Sequence, residues 1–102
     1  LFQRILSPFE MNKTQEINAL IKKASCLLRQ YERSEWADKL DAYAEALFDD
    51  ADYALSKIIS LYGGSGSIKD IVLYSNGKFL FEKNNRLHEL LSKIYSLCSG
   101  AN

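Results

Sequence analysis

Carboxylates at helical spacing are the side chains of this chain best placed to do chemistry. Asp38, Asp41, Glu45 and Asp49 follow one another at intervals of three, four and four residues, which places them along one face of a helix. Residues 32–52 contain eight acidic side chains against two basic ones, a local charge of −6. This local excess of negative charge is the strongest electrostatic feature of the sequence. We call Asp38, Asp41, Glu45 and Asp49 the acidic stripe.

Three interpretations of the acidic stripe are open: a solvated helix face, a docking face for a basic protein, or a metal or paired-carboxylate site. Like charges four residues apart destabilise a helix by roughly 0.2–0.5 kcal/mol, which favours an offsetting gain from a partner. The stretch has neither a calcium-loop motif nor a histidine, which weighs against a metal. In a docking face, aromatic residues would supply the anchors. The residues expected to contact a partner are Glu35, Trp36, Asp38, Asp41, Tyr43, Glu45 and Asp49.

A glycine-rich stretch is the second candidate. Its backbone is free to adopt positive φ values. Such a stretch could form an anion-binding cradle of backbone N–H groups, or a helix C-cap followed by a turn into a strand. Phosphate loops follow a strand and precede a helix, whereas the order here is the reverse, so we expect an architectural loop. Ile68 should then be buried, and the Asp70 side chain should accept hydrogen bonds from backbone N–H groups of the loop. The residues of this structural loop are Gly63, Gly64, Gly66, Ser67 and Asp70.

The candidate residues for nucleophilic catalysis or metal binding are Cys26, Cys98 and His88. Cys26 lies at the boundary of the apolar face of a predicted helix, and Cys98 lies on a buried helix face. His88 has no second metal ligand at a suitable spacing, so we expect it to have a surface or capping role. With no nucleophile motif and no metal-ligand spacing, we expect a protein that is not an enzyme and that uses no cofactor and no metal.

Apolar residues at intervals of three and four predict the helices that position these candidates. Ser34 is expected to cap the second helix, Asp50 or Asp52 the third, and Asn84 or Asn85 the last. No Gly or Pro separates the second helix from the third, so one bent helix is the alternative. The predicted apolar stripes are Ile17, Leu20, Ile21, Ala24, Leu27, Leu28 and Tyr31; Trp36, Leu40, Tyr43, Leu47 and Phe48; Tyr53, Ala54, Ile58, Ile59, Leu61 and Tyr62; and Leu87, Leu90, Leu91, Ile94, Tyr95 and Cys98.

An Asn-Gly dipeptide between two apolar runs predicts a β-hairpin over residues 71–81, because both central residues of a type I′ turn need positive φ. A two-residue loop would set Tyr74 opposite Phe79 and Val72 opposite Phe81, and this face should cover the helices. The expected fold class is therefore α+β, mostly α, with three to four helices packed with one antiparallel β-hairpin.

Size and composition set further limits. A chain of 102 residues, 47% hydrophobic and 25% charged, is ordinary for one globular domain. The formal net charge is zero, so we expect neither a nucleic acid nor a membrane as partner. Two cysteines and no recognisable signal peptide suggest a cytoplasmic protein. We expect residues 1–10 to be a tag or upstream extension, or else an apolar arm, and residues 11–102 to form the single domain.

The glycine stretch also carries a resemblance. Gly-Gly-Ser-Gly-Ser-Ile-Lys-Asp-Ile-Val-Leu, after a Trp-containing helix and before Asn85-Arg86-Leu87, resembles a family of small uncharacterised bacterial proteins with a Gly-Gly-x-Gly-Ser-apolar-polar-Asp signature. The resemblance covers most of residues 26–97, with Lys69 where the family pattern has Asn, and it implies no reaction. By analogy, such proteins are similar in size and style to the immunity proteins encoded beside bacterial toxins.

These observations favour a binding protein over an enzyme. The expected function is that of an immunity protein that neutralises a bacterial toxin, such as a nuclease, by direct binding of a basic toxin domain to the acidic stripe. One alternative is a structural or regulatory subunit that associates through the hairpin edge. Another is a nucleotide-responsive module that uses the glycine loop.

Overall fold

The computed structural model describes residues 8–64 and 66–100, with side chains from residue 12 onward. Within these ranges the fold is α+β and mostly α, with four helices and one antiparallel hairpin between the last two, as predicted. The second and third helices are separate. The elements are α1 (Pro8–Gln30), α2 (Ser34–Ala46), α3 (Ala51–Ser60), a 3₁₀ helix (Ile68–Asp70), β1 (Tyr74–Ser75), β2 (Lys78–Phe79) and α4 (Phe81–Ser99).

Helix α1 makes the most extensive contacts with other helices. It packs against both α2 and α4, and α3 packs against the same two helices. The stripe predicted for α1 faces this core, with Leu20 and Tyr31 half-buried at its margins and the other members buried. The helix begins at Pro8, so residues 8–10 of the expected extension are helical, while residues 1–7 lie outside the described ranges.

The prediction that Ser34 caps α2 is wrong, because a tight turn joins α1 to α2 and brings Ser34 into the helix. Ser34 is the first residue of the helix, and Arg33 occupies the cap position without a side-chain hydrogen bond. The backbone N–H of Arg33 donates to Leu28 O at 2.8 Å and that of Glu32 donates to Arg29 O at 3.4 Å, a Schellman pairing. This pairing places Glu32 at φ +64°, the left-handed position where glycine is usual. The ending of α1 therefore determines where α2 begins.

The inward face of α2 differs from the predicted stripe. Leu40 and Leu47 are buried as expected, but Ala37 and Ala44 complete this face. Trp36 and Tyr43 are half-buried at its edges, and Phe48 is exposed. Alanine at the contact lets two helix backbones approach closely, so the bulky aromatic residues lie at the margins of the α1–α2 interface.

The glycine stretch shows the two contacts predicted for an architectural loop, a buried Ile68 and an Asp70 carboxylate that accepts a backbone hydrogen bond. Its backbone is left-handed at Gly64 (φ +76°) and Gly66 (φ +70°), where a side chain would be strained. Ile68 is fully buried, and its N–H donates to Leu61 O at 2.9 Å. The Asp70 carboxylate accepts from the Ser67 N–H at 3.1 Å, and the Ser67 hydroxyl accepts from the Lys69 N–H at 3.3 Å. These bonds cap a 3₁₀ turn that the sequence pattern did not indicate.

The hairpin is confirmed in register but not in length or packing. Tyr74 pairs with Phe79, and the turn residues Asn76 and Gly77 both have positive φ, as a type I′ turn requires. The prediction that Val72 faces Phe81 is wrong, because each strand has two residues and Phe81 already begins α4. The expectation that the aromatic face covers the helices is also wrong. Ile71 and Leu73, which precede β1, are the buried residues of this segment.

Helix α4 begins earlier than predicted, at Phe81, so neither Asn84 nor Asn85 is its cap. Asn84 is buried in the first turns of the helix, and its side chain holds the loop segment before β1. It accepts from Leu73 N–H at 2.8 Å and donates to Leu73 O at 3.0 Å and to Leu80 O at 2.8 Å. The predicted stripe of α4 is buried apart from Tyr95, and it includes Cys98.

Candidate partner-binding site

The N-terminal half of the acidic stripe is engaged within the protein. Arg29 of α1 donates to Asp38 Oδ1 at 2.8 Å and to Asp41 Oδ2 at 2.5 Å. The buried Ser25 hydroxyl donates to Asp41 Oδ1 at 2.7 Å. Two carboxylates of the stripe thus fasten α2 to α1.

Electrostatics at Asp41 follow from these contacts. Burial alone would raise the pKa of this carboxyl, but the hydrogen bond from Ser25 and the bond and charge of Arg29 outweigh it and lower the pKa below its ordinary value. The hydrogen bonds to Asp41 and Asp38 raise the pKa of Arg29 in turn. Sequence reasoning missed this cluster because Arg29 belongs to another helix.

The acidic stripe keeps its unpaired charge at its C-terminal end. Glu45 and Asp49 are exposed and form no ion pair within the described residues. Phe48 is 46% exposed and Tyr53 is 50% exposed, both unusually high for aromatic side chains. We call Glu45, Phe48, Asp49 and Tyr53 the acidic corner. Phe48 and Asp49 lie in the connection from α2 to α3, and Glu45 and Tyr53 lie on either side of it.

The connection itself adds to the charge of the acidic corner. Asp50 caps α3 as predicted, accepting from the Tyr53 N–H at 3.2 Å while its carboxylate remains exposed. The Lys57 ammonium lies 5.6 Å from the centre of the Tyr53 ring. Phe48 and Tyr53 were assigned to apolar stripes from sequence periodicity. The signal that marks them as surface residues is their position beside a run of carboxylates in residues 49–52.

The aromatic anchors expected on α2 are less available than Phe48. Lys39 lies over the Trp36 ring, with its Nζ 4.8 Å from the ring centre, and both Trp36 and Tyr43 pack partly against the core. Glu35, in the first turn of α2, is exposed and well placed to stabilise the helix dipole. The expected contact residues therefore do not form one uniform free surface.

A basic groove between α1 and α4 balances the acidic corner. It has a volume of about 630 Å³, and its rim carries Lys22 and Lys23 from α1 and Lys83 and Arg86 from α4. Among the described residues that line it, Glu82 is the one acidic side chain. Although the net charge of the chain is zero, the acidic corner and the basic groove are two surfaces of opposite charge.

Groups of chemical interest are dispersed over the described structure. Cys26 is exposed in the basic groove, whereas Cys98 is buried, and burial raises the pKa of its thiol to about 11. His88 is exposed on α4. Among residues 8–64 and 66–100, no three His, Cys, Asp or Glu side chains are grouped so as to hold a metal ion. By length and hydropathy, the helices in these ranges include no candidate membrane span.

Comparison with known proteins identifies a family and nothing more specific. No curated protein matches the chain, and no solved structure does. One family, described as Domain of unknown function (DUF6966), matches residues 29–80. The matched segment begins at Arg29 and includes the acidic stripe, the acidic corner, the glycine loop and the hairpin. Since it covers just over half of the 102 residues, the chain belongs to the DUF6966 family.

Proposed function

We propose that this protein is a small protein-binding module that acts as an immunity protein, neutralising a basic bacterial toxin domain by direct contact. The observation that carries the proposal is the acidic corner, where exposed Phe48 and Tyr53 accompany Glu45 and Asp49, two exposed carboxylates that form no ion pair within the described residues. Aromatic side chains supply much of the binding energy at protein interfaces, and complementary charge steers the encounter. This composition suits a partner with an apolar pocket ringed by Lys and Arg.

We propose that the contact lies at the C-terminal end of the acidic stripe. Asp38 and Asp41 are bound to Arg29, so neutralising them would disturb the α1–α2 interface as well as any partner contact. Glu45 and Asp49 form no such ion pair within the described part of the chain. In the proposal, these two carboxylates attract the partner and Phe48 is the anchor that its pocket receives.

A rescue assay tests the proposal. The reading frame next to this gene is expressed from an inducible promoter in a bacterial host, with and without this protein. We expect toxicity that the unaltered protein relieves and that Phe48→Ala relieves poorly. The matched control Phe79→Ala should relieve it fully, since Phe79 is an exposed phenylalanine outside the acidic corner. A neighbour without toxicity, or full rescue by Phe48→Ala, would overturn the proposal.

Binding kinetics test the role of charge. Replacing Glu45 and Asp49 by Gln and Asn should slow association with the toxin at low salt by about tenfold and remove most of its salt dependence. The control pair Glu16→Gln and Glu82→Gln neutralises exposed carboxylates elsewhere and should leave the rate close to that of the parent. Equal effects of the two pairs would mean that only net charge matters, and would remove the acidic corner from the mechanism.

A second candidate function is that of a subunit that associates with a second copy of itself through the hairpin. Its support is the aromatic exposure there: Tyr74 is 53%, Phe79 55% and Phe81 69% exposed. Lys78 and Glu82, beside these rings, have opposite charges and would complement each other across a two-fold axis. Analytical ultracentrifugation of the parent and of the double variant Phe79→Ser/Phe81→Ser tests this function by measuring the oligomeric state. A parent that is monomeric at all concentrations contradicts self-association.

A further inference from the structure

A cleft between α3 and α4, lined also by Gly63 and Lys69, lies apart from the acidic corner. Its volume is about 680 Å³, within the roughly 300–1,000 Å³ typical of small-molecule sites. Its walls include Tyr62, Lys69, His88, Ser92, Tyr95 and Ser96. The residues come from three segments that the fold brings together.

One wall of this cleft is aromatic and held in place. The Tyr62 hydroxyl donates to Leu91 O at 2.7 Å, which fixes a ring that is almost completely buried. Tyr95 packs against it, with ring centres 4.9 Å apart and planes tilted by 56°. Tyr95 is itself 41% exposed, so part of its ring remains available to a ligand. A planar ring is the group that such a surface binds best.

The polar groups of the cleft favour an anion. His88, Ser92 and Ser96 recur every four residues, which places them on one face of α4. Lys69 faces the cleft from the loop, has an exposed side chain and forms no ion pair within the described residues. No carboxylate of the described residues lines the cleft. An acidic group entering it would meet a cation and hydroxyl and imidazole groups able to donate hydrogen bonds.

The segment that presents Lys69, residues 67–70, is held by its own hydrogen bonds and by a buried side chain. The Ser67 side chain accepts from the backbone N–H of Lys69, the Asp70 carboxylate accepts from Ser67, and Ile68 is anchored in the core. The position from which the Lys69 side chain extends is thus fixed in advance, which lowers the ordering cost of binding.

We propose that this cleft binds a small planar ring compound that carries a phosphate or carboxylate. The ring lies on Tyr95, and the acidic group is bound by Lys69 and His88. The anion is held by side chains, so the glycine loop serves as the support for Lys69. This inference is independent of the immunity proposal, because the cleft shares no residue with the acidic corner.

Two matched pairs of probes test the inference by NMR titration of the isotope-labelled full chain. Adenosine 5′-monophosphate is compared with adenosine, and benzoate with benzyl alcohol, so that each pair differs in the acidic group. At least one acidic probe should shift the resonances of Lys69, His88 and Tyr95 saturably. It should bind about tenfold more tightly than its neutral counterpart, as expected for one charge-assisted contact.

Variants assign the contacts. Lys69→Gln should weaken binding of the acidic probe by about tenfold and leave its neutral counterpart unaffected, whereas Lys93→Gln, on α4 but outside the cleft, should change neither. Tyr95→Leu should weaken both members of a pair. The dispersion of each variant's spectrum establishes that it is folded. Equal affinity for charged and neutral probes, shifts centred on the basic groove, or no saturable shift from any probe would each overturn the inference.

Discussion

The buried amide of Asn84 offers the sharpest test of how the hairpin segment is attached to the helices. In Asn84→Ala, the Leu73 N–H loses its only side-chain acceptor in a position without solvent access. An unpaired buried donor costs about 1–3 kcal/mol. The carbonyls of Leu73 and Leu80 keep backbone donors, from Leu80 N–H at 3.2 Å and from Asn84 N–H at 2.9 Å, so they add little.

The net effect follows by combining this cost with helix propensity. Alanine is favoured over asparagine in a helix by roughly 0.6 kcal/mol, so the variant should lose about 1–2 kcal/mol of unfolding free energy. For a domain of this size, each kcal/mol lowers the melting temperature by about 4–8 °C. We therefore expect a fall of roughly 5–15 °C.

Thermal and urea unfolding monitored by circular dichroism measure this loss. The control is Asn85→Ala, which makes the same substitution at the neighbouring exposed position of α4 and should be neutral or slightly stabilising. If Asn84→Ala and Asn85→Ala unfold at the same temperature, the reasoning about the Asn84 bonds is refuted.

Three further predictions concern the helix termini, acid stability and thiol reactivity. Glu32→Gly should raise the unfolding free energy in urea by about 1 kcal/mol, because Glu32 has φ +64°, whereas Glu35→Gly inside α2 should lower it by a similar amount. Asp41→Asn should cost about 1 kcal/mol at pH 7, since it weakens hydrogen bonds to a charged carboxylate. At pH 8, a thiol reagent should label Cys26 in the folded protein and label Cys98 only after urea is added, because Cys98 is buried and its pKa is raised to about 11.

The sign of the pH dependence at Asp41 is fixed by its lowered pKa. The folded state holds the carboxylate in its charged form, so its stabilising effect is present above the ordinary aspartate pKa of about 3.9 and is lost as the pH falls through the lowered folded value. The difference between the parent and Asp41→Asn should therefore close in acid. A gap that stays constant down to pH 2, two labelled thiols in the folded state, or a destabilising Glu32→Gly would contradict the corresponding prediction.

Local patterns in the sequence determined the helices, the hairpin turn and the burial of Ile68 in the glycine loop. Residues three and four apart share a helix face whatever the tertiary contacts, which is why the buried stripes of α1 and α4 were predictable. Asn76-Gly77 specifies its turn through the φ values it tolerates, and Asp50 caps α3 through a bond to a residue three positions away. Each of these depends on interactions within a few residues.

Tertiary structure alone decided which polar and aromatic groups are available to a partner. Arg29 reaches Asp38 and Asp41 from a different helix, and no spacing rule relates residues 9 and 12 positions apart in separate elements. Asparagine often caps helices, yet Asn84 is buried inside α4. Its side chain bonds there to the backbone N–H and carbonyl of Leu73 from the preceding loop. Sequence periodicity gives the direction of a side chain relative to its own helix, but hydrogen bonds and burial depend on which other segment occupies the space it faces.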